Sequence, residues 1–190
     1  MAHKFNPANI HKLDNPKRRE VLPPEKTLIS LGLKTGMKVA DIGCGSGYFA
    51  LAAASIVGDE GIVYGTDILQ EMVEYCTKAA QDNNITNTLF LKGEESGIPL
   101  PDGKVDIVIM ANVVHELIEP EKSFREVKRI LKPGGKLFLI EWKKIETPTG
   151  PPVHERIDIV DAEKMLKEYG FIPEKQHDLG EAHYAIVAIA

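Results

Sequence analysis

The sequence predicts an α/β fold with a doubly wound, mostly parallel sheet. Between residues 37 and 142, short apolar runs bounded by turn residues alternate with longer amphipathic segments, which is typical of parallel βαβ units. The predicted strands also end in glycine or a polar residue. Because ligands of such sheets bind beyond the carboxyl ends of the strands, we expect one binding edge.

Composition indicates one globular domain. The 190 residues include 43% hydrophobic and 27% charged residues, which suits one core and is too short for two ordinary domains. The net charge of −5 argues against nucleic acid as a partner. Cys44 and Cys76 lack metal-ligand spacing and favour a reducing compartment. No run has signal-peptide or membrane-spanning length, so we expect a cytoplasmic protein without a membrane span.

Three parts are expected within a single domain spanning 1–190. Residues 1–22 form a polar N-terminal arm, residues 23–142 form the ligand-binding core, and residues 143–190 add a helix and a strand pair. The arm contains apolar residues that can be buried only against the body of the domain. It is interpreted as a lid over the ligand site, with a docked arm of no functional role as the alternative.

The central stretch is VADIGCGSGYFA, which begins at Val39. A buried strand ends at Ile42, Gly43, Gly45 and Gly47 follow at alternate positions, and a helix begins at Tyr48. Glycines let a ligand approach the backbone, and the helix N-terminus favours an anionic group. A plain strand-to-helix turn without a ligand is the alternative.

An acid follows the second predicted strand, Ile62 to Thr66. This is Asp67, whose carboxylate can accept both hydroxyls of a ribose. The glycine spacing is G-x-G-x-G and differs from the dinucleotide fingerprint G-x-G-x-x-G.

Further elements complete the pattern. We predict a helix over Gln70–Asp82, strands over Thr88–Lys92 and Val105–Met110, a helix over Glu121–Leu131 and a strand over Lys136–Ile140. The residues that follow the strand ends are Gly43, Asp67, Gly93, Glu94, Asn112 and Glu141.

The C-terminal part reads differently. A proline-rich connection carries His154 and Arg156, which are expected in a solvated loop. Asp161 can cap a helix that ends near Tyr169. Two strands, Phe171–Gln176 and His183–Ala190, lie so close in sequence that they must pair antiparallel.

The strings VADIGCGSGYFA, GEESGIPLPDGKVDIVIMANVVHEL and LKPGGKLFLIEW, together with Asp67, resemble class I S-adenosylmethionine-dependent methyltransferases of the small-molecule branch. The chain is similar to the C-methyltransferases of quinone synthesis. The resemblance implies a seven-stranded, Rossmann-like sheet whose last strand is antiparallel. It also implies a cofactor-binding set composed of Asp41, Gly43, Cys44, Gly45, Gly47, Asp67, Ile68, Gly93, Glu94, Glu95 and Asn112.

The resemblance also implies which residues bind each part of the cofactor. The glycine loop meets the methionine moiety, and Asp67 takes the ribose. Glu94 holds the adenine amino group, although this position is usually Asp, and the backbone of Glu95 meets the adenine edge. Asn112 lies where the strand-four end passes the sulfonium.

The implied reaction is displacement at a sulfonium methyl by an aligned acceptor. A base is needed only if the nucleophile carries a proton of high pKa, and His115 and Glu141 are the predicted acceptor-side residues. No metal site and no catalytic triad are expected. The D/N-P-P-Y/F signature of enzymes that methylate nucleic-acid bases is absent, since strand four ends in Ala111-Asn112-Val113-Val114.

Two alternatives are left open. The chain can be a non-catalytic S-adenosylmethionine-binding regulatory module, because the cofactor residues would be the same. An NAD-dependent oxidoreductase would share the glycine turn and the ribose acid, but the glycine spacing disfavours it. The identity of the acceptor, the methylated atom and the oligomeric state are not predicted.

Overall fold

The computed structural model describes residues 16–190, which form one seven-stranded sheet with helices on both faces. The helices are α1 (Pro16–Val21), α2 (Pro24–Leu31), α3 (Tyr48–Val57), α4 (Gln70–Asp82), α5 (Pro120–Ile130) and α6 (Ile159–Glu168). The strands are β1 (Lys38–Ile42), β2 (Ile62–Asp67), β3 (Thr88–Lys92), β4 (Val105–Ala111), β5 (Leu131–Trp142), β6 (Ile172–Leu179) and β7 (His183–Ile189). None of these helices is long and apolar enough to span a bilayer.

The strand order is β3-β2-β1-β4-β5-β7-β6. Strands β1 to β5 pair in parallel, whereas β7 is antiparallel to both of its neighbours. The predicted sheet is therefore confirmed. The chain builds outward from β1 through β2 to β3 and then returns to place β4 on the other side of β1. This reversal makes a switch point between β1 and β4, where a crevice forms beyond the strand ends.

Two apolar layers hold the helices on the sheet. On one face, α2, α3 and α4 bury residues such as Leu28, Phe49 and Cys76. On the other face, α5 and α6 bury residues such as Phe124 and Leu166. Because both faces are covered, the central strands are apolar on both sides, and polar side chains accumulate at the strand ends.

Several boundaries differ from the sequence-based ones for identifiable reasons. Helix α6 begins after Asp158, whose carboxylate accepts the Val160 amide, and not at Asp161. Strand β6 extends to Leu179 because its pairing with β7 continues to the turn. Strand β5 begins at Leu131, before the predicted strand start at Lys136, and its register with β4 shifts in a bulge between these two residues.

Candidate functional site

The glycine loop between β1 and α3 requires glycine. Gly43, Gly45 and Gly47 have φ angles of 69°, 53° and 78°, a region that other residues rarely adopt. A Cβ on Gly43 would lie 2.6 Å from Cγ2 of Val113, which packs on the loop from the end of β4. The backbone of the glycine loop, which carries no side chain at these three positions, therefore lies at the switch point.

Asp67 ties this loop to the end of β2. Its Oδ2 accepts the Gly45 amide at 3.0 Å, and its Oδ1 accepts the Leu69 amide at 3.0 Å. A carboxylate has about four acceptor positions, so acceptor capacity is left, and the residue is only partly buried. The Thr66 carbonyl also accepts the amides of Gly43 and Cys44, at 2.8 and 3.0 Å. The structure therefore brings two predicted cofactor elements into direct contact.

Asp41 is a second acid at the same place. It is 2% exposed, and burial together with the charge of Asp67 raises its pKa to about 7, against the opposing effects of a backbone hydrogen bond with Ala50 and of the charge of Arg18. A cation placed beside Asp41 would therefore favour its ionised form.

The two cysteines pack beneath the loop. The Cys76 thiol donates to the Gly45 carbonyl at 3.1 Å. A hydrogen bond with Cys76 and burial raise the pKa of the Cys44 thiol. Both thiols are free and buried, so they support the loop from inside the core.

Among the predicted cofactor residues after β2 and β3, some are exposed to solvent and others contact the rest of the protein. Glu94 is exposed, and its backbone forms a tight bridge with Gly97. Ile68, after β2, is 39% exposed. The Glu95 carboxylate instead accepts the amides of Ile118 and Glu119 at 2.6 Å, at the start of α5. Gly93 donates to the Asp67 carbonyl at 2.9 Å, so this turn adjoins the glycine loop.

Asn112 ends β4 in a left-handed conformation, with φ at 58°. Its amide donates to the Ile140 carbonyl at 2.8 Å. Its side-chain Oδ1 is buried and has no hydrogen-bond partner. Buried polar atoms are nearly always paired, so this oxygen is available to a ligand at the edge.

His115 and Glu141 form a buried pair at the ends of β4 and β5. The ring Nδ1 lies 2.9 Å from Oε2, and Glu141 also accepts the amides of Val114, His115 and Trp142 at 2.9, 3.3 and 3.2 Å. Glu141 is 0% exposed. Burial lowers the pKa of His115, but the hydrogen bond and charge of Glu141 outweigh it and raise that pKa above 6.5.

Helix α1 lies above the start of α3. The Arg18 guanidinium is 3.9 Å from the centroid of the Tyr48 ring, and the Tyr48 hydroxyl donates to the Leu22 carbonyl at 2.7 Å. The end of the predicted arm therefore sits beside the glycine loop. The rest of the arm, residues 1–15, lies outside the described residues.

Sequence reasoning missed or misplaced some polar residues. Ser46 in the glycine loop and His183 at the start of β7 are buried with unpaired side-chain atoms. The expectation of a solvated Arg156 is wrong, because it is 3% exposed and collects the carbonyls of its own loop. The His154 side chain is 81% exposed, as expected. No group of three potential metal ligands occurs within residues 16–190.

The comparisons with known proteins agree with this geometry. A family model described as a methyltransferase domain matches residues 33–175. The crystal structure of a SAM-dependent methyltransferase from Aquifex aeolicus superposes with a TM-score of 0.95 at 39% identity, covering 98% of this chain and 99% of that one.

Curated relatives match over a shorter share of their length. A ubiquinone/menaquinone biosynthesis C-methyltransferase from Shewanella sediminis is 32% identical over 62% of this chain and 47% of its own length. The enzyme of the same name from Shewanella sp. strain W3-18-1 is 32% identical over 77% of this chain and 57% of its own length. The chain thus spans about half the length of these relatives.

Proposed function

We propose, since this chain belongs to the methyltransferase domain family, that it transfers a methyl group from S-adenosylmethionine to a small-molecule acceptor. The observation that carries the proposal is the contact between Asp67 and the Gly45 amide. It joins the glycine turn and the ribose acid into one surface at the switch point, with acceptor capacity left on the carboxylate.

The cofactor is proposed to lie along this surface. Its ribose hydroxyls donate to Asp67, its adenine meets Glu94, Glu95 and Ile68, and its methionine lies on the glycine loop. The buried Asp41 supports this orientation by charge. S-adenosylmethionine carries a sulfonium and an ammonium group, and a cation beside Asp41 would lower its raised pKa and favour the ionised form.

His115 is proposed as the general base for acceptors that carry a proton. Its Nδ1 proton is held by Glu141, which leaves the Nε2 lone pair to take a proton. A pKa raised above 6.5 suits this role near neutral pH. Glu141, being fully buried, is proposed to orient His115 without touching the acceptor.

The N-terminal arm is proposed as the lid that excludes water from the transfer. Support comes from α1, whose Arg18 lies on Tyr48 next to the glycine loop. Leu22 is 1% exposed and belongs to the core, so the separable part of the arm ends before it. The single-domain division at residues 22 and 142, a cytoplasmic location and the exclusion of nucleic acid are retained as proposals from the sequence.

Methyl transfer from isotopically labelled S-adenosylmethionine into a metabolite extract tests the proposal. We expect a labelled small molecule and S-adenosylhomocysteine from the parent protein, and much less of both from Asp67→Ala when the cofactor is below saturation. Binding of the cofactor without any labelled product would favour the regulatory module. Calorimetry with NAD and S-adenosylhomocysteine separates the oxidoreductase, which would prefer NAD.

A further inference from the structure

Unpaired buried side-chain atoms mark one edge of the sheet. Within residues 16–190 they belong to Ser46, Asn112 and His183. Ser46 follows β1 and Asn112 follows β4, so both lie at the carboxyl edge where the cofactor is proposed. His183 lacks a partner on both ring nitrogens, although the residue is only 2% exposed. Such groups call for a ligand, a water or a functional reason.

His183 lies at the same edge because β7 runs antiparallel. Its backbone is in register with Trp142, the last residue of β5, and the two ring centroids are 4.0 Å apart. Strand β7 is three positions from β1 in the sheet. At the usual strand spacing of 4.7–4.9 Å, the separation is about 14 Å. His183 is therefore three strands from the glycine loop, in the half left for the acceptor, while the charge of Arg18 on α1 acts on both Asp41 and His183.

A buried positive charge lies next to this pair. The Arg156 guanidinium is 5.2 Å from the centroid of the Trp142 ring, and the residue is 3% exposed. Buried charges are normally paired with an opposite charge. Among the described residues, its hydrogen bonds go only to uncharged oxygens, namely the carbonyls of Lys143, Ile145, Thr149 and Pro151 and the hydroxyl of Thr147.

The imidazole of His183 is consequently neutral. Burial lowers its pKa to about 3, with further lowering by Arg18, Arg156 and Lys143. A neutral imidazole offers one N–H donor and one acceptor nitrogen. Lys143 is itself paired with Asp178 at 2.9 Å. Among the described residues Arg156 forms no ion pair, although the charge of Glu146 acts on it from a greater distance. A hydrogen-bond donor near the positive charge of Arg156 suits a negatively charged oxygen as its acceptor.

We propose that His183 is a specificity-determining residue that binds an oxyanion of the methyl acceptor, so that the acceptor is an organic acid. The imidazole N–H donates to the carboxylate, and the buried guanidinium of Arg156 supplies the complementary charge. This inference rests on the proposed methyl transfer, because that function places an acceptor at this edge.

Benzoate, with benzamide as its neutral isostere, tests the site by saturation-transfer NMR and calorimetry on protein saturated with S-adenosylhomocysteine. His183→Phe keeps a ring against Trp142 and removes both nitrogens, whereas His183→Gln keeps a donor. His177→Phe, on the neighbouring strand, is the matched control, and thermal melting checks that each variant is folded.

We expect the parent to bind benzoate at least fivefold more tightly than benzamide. His183→Phe should lose at least fivefold in benzoate affinity, His183→Gln should recover part of it, and His177→Phe should match the parent. S-adenosylhomocysteine affinity should stay within twofold throughout. A parent that does not bind benzoate, or that binds benzamide equally well, would overturn the inference.

Equal benzoate affinity in the parent and in folded His183→Phe would also overturn it, and would assign the imidazole to packing or to a buried water. A large loss of S-adenosylhomocysteine affinity in His183→Phe would contradict the acceptor assignment and place the oxyanion on the cofactor. Failure of the proposed function is distinguishable, because it appears as a parent that does not bind S-adenosylhomocysteine. The benzoate titration without that ligand still reports on His183.

Discussion

Asp67 and Glu141 both stand at the carboxyl end of a buried strand, yet the structure uses them in opposite ways. Asp67 accepts one backbone amide on each oxygen and remains partly exposed. Glu141 accepts three backbone amides and the His115 ring, and it is 0% exposed. The first acid can still reach a ligand, whereas the hydrogen bonds of the second are directed inward.

An acid at a strand end is therefore not by itself a ligand contact. What decides its role is the acceptor capacity left after the backbone has been satisfied. The β1–β2 half of the edge, around Asp67, keeps that capacity and suits a bound cofactor. The β4–β5 half holds its acid rigidly and offers His115 in its place.

The comparison is tested most strongly by Glu141→Ala. Removing this buried carboxylate leaves the Val114 and His115 amides and the His115 ring without their partner. Breaking a buried, hydrogen-bonded charge pair costs about 3–5 kcal/mol. We expect denaturant unfolding to show a loss of this size, while the folded fraction still binds S-adenosylhomocysteine. A stability loss below about 1 kcal/mol would mean that Glu141 is not a structural acid.

Asp67→Ala should act mainly on binding. Hydrogen bonds to a charged group contribute about 1.5–3 kcal/mol each, so we expect at least a tenfold loss of S-adenosylhomocysteine affinity by calorimetry. Glu94→Ala serves as the milder comparison, because stacking and backbone contacts with adenine remain. Parent-like affinity in Asp67→Ala would remove the ribose assignment.

Two substitutions of Asn112 distinguish an effect on backbone conformation from an effect on ligand binding. Asn112→Gly and Asn112→Ala both remove the unpaired Oδ1, but only the alanine variant keeps a Cβ at a φ of 58° without the polar group that helps Asn adopt this conformation. We expect the alanine variant to be about 1–2 kcal/mol less stable than the glycine variant. Both should lose the same modest factor in cofactor affinity. A loss confined to the alanine variant would assign Asn112 to backbone geometry.

The smallest expected effect is on the pH dependence of the free energy of unfolding. The pKa of His115 is raised above 6.5 in the folded protein by Glu141, so protonation favours the folded state. The stability from this pair is full below pH 6.5 and is lost as pH rises through the folded-state pKa. Denaturation of the parent and of Glu141→Gln between pH 5 and 9 should therefore differ most at low pH. A constant difference would rule out this linkage.

Much of the fold follows from local patterns. The bounds of α4 (Gln70–Asp82) and β3 (Thr88–Lys92) are confirmed to the residue, because each has a clear apolar period and a turn signal. Helix α1 was not predicted, since it buries none of its residues and has no apolar stripe. The family and the doubly wound, mostly parallel sheet were accessible because glycine and acid positions are tied to the strand ends, whereas the order of the strands was not predicted.

The site was less accessible where pairing depends on distant contacts. In sequence, Arg156 looks like a loop cation, and its burial arises only when residues 143–151 fold around it. His183 reads as an ordinary strand residue, and the sequence gives no sign that its nitrogens lack partners. The hydrogen bonds that Glu141 accepts from residues 114 and 115 also form only because β4 and β5 are neighbours.

The assignment of the β1–β2 half of the sheet edge to the cofactor is tested most directly by an amide NMR titration of the protein with S-adenosylhomocysteine. We expect large shifts for the Gly45, Ile68 and Glu95 amides and small shifts for the Trp142 and His183 amides. Large shifts at Trp142 and His183, with Gly45 and Ile68 unchanged, would contradict the assignment of the β1–β2 half to the cofactor.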